Sequence, residues 1–349
     1  MSGSISVTKA FLNSVDISKR EKEIISEICL GNKLIPKEIT HRSFYWTTDK
    51  VGAIIFSALD KNKNKVAVKI QGDKPFISEG YILKRFNEEN RSKVIRPPKF
   101  INYRLWDIKK GYEVIIMEQF EGLKPVGYGR LNSDQSIKKF FDLYYEYKNN
   151  CVPKNPWFNK DSNLSVFTQR YNGWWQVREK EPKYARHPLT SLIAYSNAKK
   201  VFDKLSAFWN SKSAEFVHGH FSGGEIIKIK GGFGLTGNLF WGFKPKYYDL
   251  VFAYHWHSIM LYSSKCTVKD YQKEVKVWKD KMESSIDQKN KDIFYSSWLE
   301  RTTAAFILDL LIIEKEMIDR PLSQAILLNR AFEFNDLARY FNIKVRINI

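Results

Sequence analysis

The residues best suited to chemistry are concentrated in one short segment, Phe216–Ile227. It contains His218, Gly219 and His220, then Glu225, and it ends in two apolar residues. A histidine can act as a general base near neutral pH, and a glutamate carboxylate offers hard oxygen atoms to a divalent cation. The segment therefore predicts proton transfer or cation binding at one place in the chain.

A second pair of charged residues lies nearer the N-terminus. Lys69 lies within the β-branched run Val66–Ile70, and Glu79 falls on the apolar stripe of a predicted helix. A carboxylate on such a stripe is costly unless it is paired, so we predict an ion pair between Lys69 and Glu79. The alternative is a solvated lysine and a surface glutamate that the helix dipole favours in the first turn.

Two further segments place polar groups at the end of an apolar run. In Ile115–Gly122 a predicted buried strand runs into a polar turn through Glu118, Gln119 and Phe120. The segment Leu239–Gly242 is followed closely by Asp249. Taken alone, the first of these segments is equally consistent with a strand that ends in an ordinary turn.

The elements that must position these residues divide into a β-rich first part and a mainly helical second part. Aromatic and β-branched runs predict strands at residues 43–47, 51–59, 65–70, 100–106 and 112–118, with helices at 17–30 and 78–90. Further helices are predicted at 134–149, 189–211, 249–262 and within 268–341, with a hairpin of strands 226–229 and 235–240 about two glycines. The proline-containing stretch 151–188 is predicted to be irregular. This order predicts an α+β fold.

In this order and spacing the segments resemble the aminoglycoside and choline phosphotransferases, a branch of the protein-kinase-like fold. The family's catalytic loop reads His-Gly-Asp-x-x-x-x-Asn followed by two apolar residues, and 216–227 is similar to it. Residues 239–242 with Asp249 look like the family's Asp-Trp-Glu segment and its later Asp-Leu. The resemblance covers roughly residues 40 to 256.

The resemblance implies a two-lobed fold with a role for each segment. It implies an N-terminal helical extension at residues 1–40, a β-rich lobe at 41–122 that ends at a hinge, and a mainly helical lobe at 123–349. ATP is the implied cofactor, with Mg or Mn as its metal. The implied cofactor-binding residues are Lys69, Glu79, Glu118, Gln119 and Phe120, because in kinases the lysine–glutamate pair aims the lysine at the phosphates. Asp249 takes the place of a structural aspartate that hydrogen-bonds the catalytic loop.

The sequence departs from the family at the acids that carry the chemistry. His220 stands where the family has the aspartate that accepts the substrate proton, and Glu225 stands where it has an asparagine that binds magnesium. Phe240 replaces the metal-binding aspartate, and Asn238, two residues earlier on the predicted strand, is a poor substitute ligand. We therefore assign His220 and Glu225 as candidate catalytic residues, and Glu225 and Asn238 as candidate metal ligands. In the turn that covers the phosphates in the family, this chain has no glycine-rich motif, only Thr47, Thr48 and Gly52.

Two other groups of residues have alternative interpretations. The pairs His218/His220 and His255/His257 could bind a transition metal with Glu225, but a helix would point its residues i and i+2 roughly 200° apart. We therefore favour no metal site there. An aromatic and basic insert within 151–188 lies where relatives recognise a small substrate, and it predicts either a stacking pocket for a small-molecule ligand or core packing. Its members are Trp157, Phe158, Arg170, Trp174, Trp175 and Arg178.

The bulk composition limits the remaining classes. With 43% hydrophobic and 15% aromatic residues, a disordered chain is excluded. The net charge of +19 could attract nucleic acid, but the lysines are spread along the chain and not concentrated as in nucleic-acid readers, so nucleic acid is not favoured as a partner. Three scattered cysteines, the lack of a signal-like start and the lack of a membrane-length apolar run predict a cytoplasmic protein that does not enter a membrane.

Three functions remain open at this point. The leading hypothesis is a phosphotransferase-like protein that binds a nucleotide but is impaired as a standard kinase. The second is an active ATP-dependent small-molecule phosphotransferase that uses Glu225 and His220 in altered roles. The third is a basic protein that binds a polyanion and leaves the cleft unused.

Overall fold

A computed structural model of the protein describes residues 17–44, 51–72, 74–75, 77–127, 129–158, 166–180, 182–209 and 214–349. The chain divides into two compact units. The first, called the β unit below, comprises the described residues up to Leu123 together with Ile227–Leu239. The second, called the helical unit, comprises Lys124–Ile226 and Phe240–Ile349. Thr47 and Thr48, like residues 1–16, lie outside the described residues.

The predicted strands and helices occur in the predicted order, and some strands and helices that were not predicted lie between them. The strands are β1 (Ile35–Phe44), β2 (Val51–Leu59), β3 (Lys65–Gln71), β4 (Ile95–Arg96), β5 (Phe100–Asp107), β6 (Tyr112–Glu118), β7 (Ala214–Val217), β8 (Ile226–Ile229), β9 (Gly232–Leu235) and β10 (Gly242–Pro245). The helices are α1 (Ile17–Asn32), α2 (Glu79–Glu89), α3 (Asp134–Glu146), α4 (Val166–Lys180), α5 (Pro182–Ala185), α6 (Tyr195–Phe208), α7 (Tyr248–Met260), α8 (Val268–Ser284), α9 (Lys291–Ile307) and α10 (Pro321–Tyr340).

The β unit is built on a five-stranded antiparallel sheet with the strand order β1-β2-β3-β6-β5. Alternate residues of β2, β3 and β6 point to one face and pack with Ile24, Ile28 and Cys29 of α1. This alternation of buried and less buried side chains is the period of two that predicted the strands. Helix α2 buries Ile82, Leu83 and Phe86 and contacts β5 and β6. A smaller sheet in the order β4-β9-β8 completes the unit.

The helical unit is organised around α9, whose residues from Ser296 to Ile307 are all buried. Helices α6, α7 and α10 contact α9. Strands β7 and β10 form a separate antiparallel pair. A small antiparallel sheet with two associated helices, α1 and α2, and a mainly helical remainder confirm the predicted kinase-like α+β fold.

Four boundaries or assignments made from the sequence are wrong. The first predicted strand, at 43–47, is β1 at Ile35–Phe44 and begins earlier. The second hairpin strand, predicted at 235–240, is β9, which ends at Leu235. The helix expected at 189–211 is limited to α6, and a 3-10 turn, Pro188–Leu192, precedes it. Within the stretch expected to be irregular the chain forms α4, which has no proline of its own; the prolines that suggested irregularity flank it, and one of them starts α5, a position that proline favours.

Among the described residues, no helix is both long enough and apolar enough to cross a bilayer.

The end of the predicted hinge is fixed to β8 by a close backbone approach. The amide of Lys228 donates to the carbonyl of Leu123 at 2.8 Å. A Cβ atom at Gly122 would come within 1.8 Å of the carbonyl oxygen of Lys228, so a larger residue would have to move the backbone. Glycine is therefore required here by space.

We predict that Gly122→Ala lowers the free energy of unfolding by about 1–3 kcal/mol, the usual effect of overpacking. Gly31→Ala is the matched control, because nothing lies within 4 Å of the added methyl group and alanine favours the helix that holds it. Urea unfolding of both variants measures the difference. Equal stability of the two variants would contradict the close approach.

Candidate functional site

The predicted ion pair between Lys69 and Glu79 is present in the β unit. The Nζ atom of Lys69 lies 2.5 Å from Oε2 of Glu79, and the two side chains are 14% and 6% exposed. Lys69 stands on β3, paired in register with Ile55 and Ile115 on the two neighbouring strands. Glu79 is the first residue of α2. The sheet and the helix thus hold a lysine whose ammonium group is oriented and retains a small solvent exposure.

A third charged residue of this group, Glu113, was missed from the sequence. It stands on β6, is only 1% exposed, and its Oε1 accepts a hydrogen bond from the backbone amide of Glu79 at 3.1 Å. Burial raises the pKa of Glu113 to about 7. The one available signal was a glutamate inside the otherwise apolar run Tyr112–Met117, where a charge is costly without partners.

The side chains of the predicted hinge are held within the β unit. Arg96 binds the carboxylate of Glu118 through two hydrogen bonds of 2.5 and 2.7 Å, and this partner lowers the pKa of Glu118. The same guanidinium lies 4.9 Å from the ring centre of Phe120, which also packs against Gly234. Because these two side chains already have partners, binding of a nucleotide at Glu118, Gln119 and Phe120 remains a prediction for their backbone groups.

In the helical unit, the loop that resembles the catalytic loop follows β7 and is braced by Tyr147 and Asp249. The Tyr147 hydroxyl donates to Oδ2 of Asp249 at 2.8 Å and accepts the backbone amide of His218 at 2.6 Å. Asp249 also takes a hydrogen bond from the backbone of Phe221. The aspartate thus has the structural role that the resemblance implied, partly through a tyrosine that the sequence did not single out.

Burial dominates the electrostatics of this brace. It raises the pKa of Asp249 to about 6, while the hydroxyl of Tyr147 and the charge of Lys148 act in the opposite direction. Tyr147 opens a π-helical turn, Tyr147–Cys151, directly after α3. Such turns often occur at functional sites, and this one was predicted as the last turn of an ordinary helix.

The two residues that replace family acids, His220 and Phe240, stack on one another. Their ring centres are 3.5 Å apart and the rings are nearly parallel, at 6°. The imidazole also lies 4.3 Å from the ring of Phe252. Gly219 has a φ of +77° and the carbonyl of Phe240 lies 2.5 Å from where its Cβ would be, so this position requires glycine.

The candidate metal ligands Glu225 and Asn238 belong to different units, and each is described by its own contacts. Residues 238–240 form a 3-10 turn and not a strand, so the argument that Asn238 shares a face with Phe240 was wrong. Asn238 is 2% exposed and its amide donates to the carbonyl of Leu235 at 3.4 Å. Glu225 follows a turn closed by its amide to the Ser222 carbonyl at 3.0 Å. Within the described ranges, no group of three or more His, Cys, Asp and Glu side chains is placed to hold a metal.

The other histidine pair lies on α7, as predicted, and its members have different partners. His255 contacts Asp309 at 2.8 Å, and His257 contacts Glu274 at 3.1 Å. Burial and the nearby Arg301 lower the pKa of His255 to about 4, so its ring is neutral at physiological pH. Each imidazole therefore serves a separate buried contact.

The aromatic insert separates into two packing groups. Trp157 is buried between Phe216 and Trp241, at ring distances of 5.3 and 4.9 Å. Elsewhere in the helical unit, Arg178 lies 4.4 Å from the Trp175 ring and donates to the Ile193 carbonyl at 3.0 Å. Trp174 lies within cation–π distance of Arg301, Phe158 packs on Phe216, and the Arg170 side chain is outside the described part. A ligand pocket at the insert stays a prediction.

The brace yields a direct test of the loop. We predict that Tyr147→Phe lowers the free energy of unfolding by about 1–3 kcal/mol, because it leaves a buried carboxylate oxygen and a buried amide without their partner. Tyr145→Phe is the control: Tyr145 lies two residues earlier and is 43% exposed, so its substitution should change the free energy of unfolding little. Urea unfolding measures both. If the two variants unfold at the same urea concentration, Tyr147 does not brace the loop.

No protein-family model matches the sequence, and no curated protein matches it. Several solved structures are similar to the chain. An amicoumacin kinase in complex with AMP-PNP, Ca2+ and Ami is 11% identical, with 90% of this chain and 93% of that chain covered and a TM-score of 0.49. A spectinomycin phosphotransferase in complex with ADP and spectinomycin is 11% identical, with coverage of 90% and 93% and a TM-score of 0.48. A choline kinase from Cryptosporidium parvum is 13% identical, with coverage of 91% and 97% and a TM-score of 0.45. By name, all three are kinases or phosphotransferases, the class that the sequence resembles.

Proposed function

We propose that the protein is a phosphotransferase-like protein that binds a nucleotide but does not carry out ordinary magnesium-assisted phosphoryl transfer. The observation that supports it most strongly is the stack of His220 on Phe240, with ring centres 3.5 Å apart. At the two positions where the resemblance places a proton-accepting aspartate and a metal-binding aspartate, the chain has two aromatic rings in contact.

The nucleotide part of the proposal depends on Lys69. Its ammonium group is oriented by Glu79 at 2.5 Å and the side chain is 14% exposed, which suits it to bind a phosphate oxygen as the lysine of a kinase does. A solvated lysine on the strand would contribute as much to stability, so stability alone does not explain why Lys69 is paired and largely buried. The pair is thus the feature of the β unit that fits ATP.

The impaired chemistry follows from what magnesium requires. The ion needs near-octahedral coordination by hard oxygen atoms, and phosphoryl transfer depends on such an ion to neutralise developing charge. Phe240 has no ligand atom, and the buried amide of Asn238 donates to a backbone carbonyl. Of the candidate ligands, Glu225 is left as the one charged donor, so the residues present do not fit the metal.

His220 could still accept a proton at an imidazole nitrogen, since stacking covers the faces of the ring and not its edge. The active alternative therefore depends on Glu225 and His220 together.

We propose a cytoplasmic setting for the protein, and we propose that its net positive charge is a matter of composition.

The first test is calorimetry with ATP in magnesium and in EDTA. We expect binding in both, with dissociation constants that agree within about threefold, and a loss of about tenfold or more in Lys69→Ala, since a charge-assisted hydrogen bond contributes more than 1.4 kcal/mol. Lys65→Ala is the control on the same strand, because Lys65 is 62% exposed. Binding that requires magnesium would favour the active alternative, and no binding would favour the polyanion-binding alternative.

The second test is turnover. With magnesium and common small-molecule acceptors we expect hydrolysis or transfer from ATP to be indistinguishable from that of Lys69→Ala, measured by release of ADP. Robust turnover that disappears in both Lys69→Ala and Glu225→Ala would show that the impaired assignment is wrong and that a rearranged site performs the reaction.

A further inference from the structure

Glu113 contacts the Lys69–Glu79 pair through the backbone amide of Glu79. It stands on β6, in register with Gln71 of β3, and on the same face of the sheet as Lys69, because alternate residues of paired strands share a face. Its carboxylate is buried, with Oε1 bound to the amide of Glu79 at 3.1 Å. Among the described atoms its Oε2 has no hydrogen-bond partner.

This contact satisfies the first amide of α2. The first four amides of a helix have no partner within it, and a serine at the N-cap commonly accepts the second or third of them. Ser78 is at that position but its side chain makes no capping bond. Glu113 accepts the first amide, that of Glu79, from a strand of the sheet. The residue whose amide it holds is Glu79, so the position of the Glu79 carboxylate depends on Glu113.

The charges that face Glu113 can be named element by element. From α2 it faces Glu79, and from β3 it faces Lys69, with the Ser78 hydroxyl beside it. From β5, Arg104 lies over the ring of Tyr112, a residue on the opposite face of the strand from Glu113. Burial raises the pKa of Glu113 to about 7 and the charge of Glu79 acts in the same direction, while the Glu79 amide, the Ser78 hydroxyl and the charge of Lys69 act against it.

We propose that Glu113 is a positioning residue for the Lys69–Glu79 pair, and that it holds the start of α2 firmly when protonated and loosely when ionised. As far as it concerns nucleotide binding, this rests on the function proposed above. In the neutral acid the carbonyl oxygen still accepts the Glu79 amide, and no second negative charge faces Glu79. In the ionised form a second buried negative charge lies beside the Glu79 carboxylate.

The direction with pH follows from linkage. A carboxyl group whose pKa is higher in the closed arrangement than in the opened one favours the closed arrangement at low pH. The preference for the closed arrangement, in which Glu113 accepts the Glu79 amide, is complete below the pKa of an exposed glutamate. It is lost progressively as the pH rises from there to about 7. The start of α2 should therefore open more readily at pH 8 than at pH 6.

The test is hydrogen exchange at the Glu79 amide, followed by NMR on the full chain without nucleotide and corrected for intrinsic exchange. In the wild type we expect protection to fall by up to about tenfold for each pH unit between the pKa of an exposed glutamate, about 4.3, and about 7, the limit for release of one proton, and to level off above 7. Glu113→Gln, which keeps an acceptor oxygen and cannot ionise, should abolish this fall and leave pH 8 protection above the wild-type value. Glu88→Gln, on the exposed side of the same helix, should behave as the wild type does.

The outcomes separate this inference from the proposed function. If the Glu113→Gln and wild-type profiles coincide, the inference is wrong whether or not ATP binds. If ATP fails to bind but the profiles differ as expected, the proposed function falls and the positioning role stands. Should Glu113→Gln not fold, carbon-13 titration of the wild-type carboxyl groups decides: a midpoint near 7 for Glu113, followed by the Glu79 amide shift, supports the inference, and a midpoint below 5 overturns it.

Discussion

The ion pair between Lys69 and Glu79 joins strand β3 to the start of helix α2 in the β unit. Taking two charges out of water is costly, and the attraction between them repays that cost only when the remaining polar atoms are satisfied. Here the pair is 2.5 Å long and largely buried, and a third buried carboxylate, Glu113, holds the amide of Glu79. Two buried acids and one lysine thus meet beside the start of α2, and together they orient the ammonium group of Lys69.

In the helical unit, the loop that resembles the family's catalytic loop is held by buried contacts. The support of the loop is intact: Asp249 and Tyr147 hold the backbone of His218, and Gly219 keeps its left-handed conformation. His220 and Phe240, at positions where the resemblance implies acids, form a stacked pair. The brace does not depend on these two side chains, because its hydrogen bonds join Tyr147, Asp249 and the backbone of His218.

Much of the fold could be predicted from local patterns. Strands β2, β3, β5 and β6 and helices α2 and α7 lie close to where alternation and apolar stripes predicted them, because those patterns reflect which face each element buries. Helix α4 was missed because prolines around it were interpreted as a sign of irregular structure, although they only mark its surroundings. The hairpin strand was extended too far, since apolar residues 239 and 240 belong to a 3-10 turn.

The sequence by itself determined the order of the main elements and the Lys69–Glu79 pair, since these depend on residue type, spacing and a stripe within one helix. Only the tertiary structure decided which buried groups meet. Glu113 holds an amide 34 positions away in the chain, and Tyr147 reaches an aspartate 102 positions away. No local period encodes such contacts, because the partner of a buried polar group is set by how the sheet and helices pack and not by its neighbours in the chain.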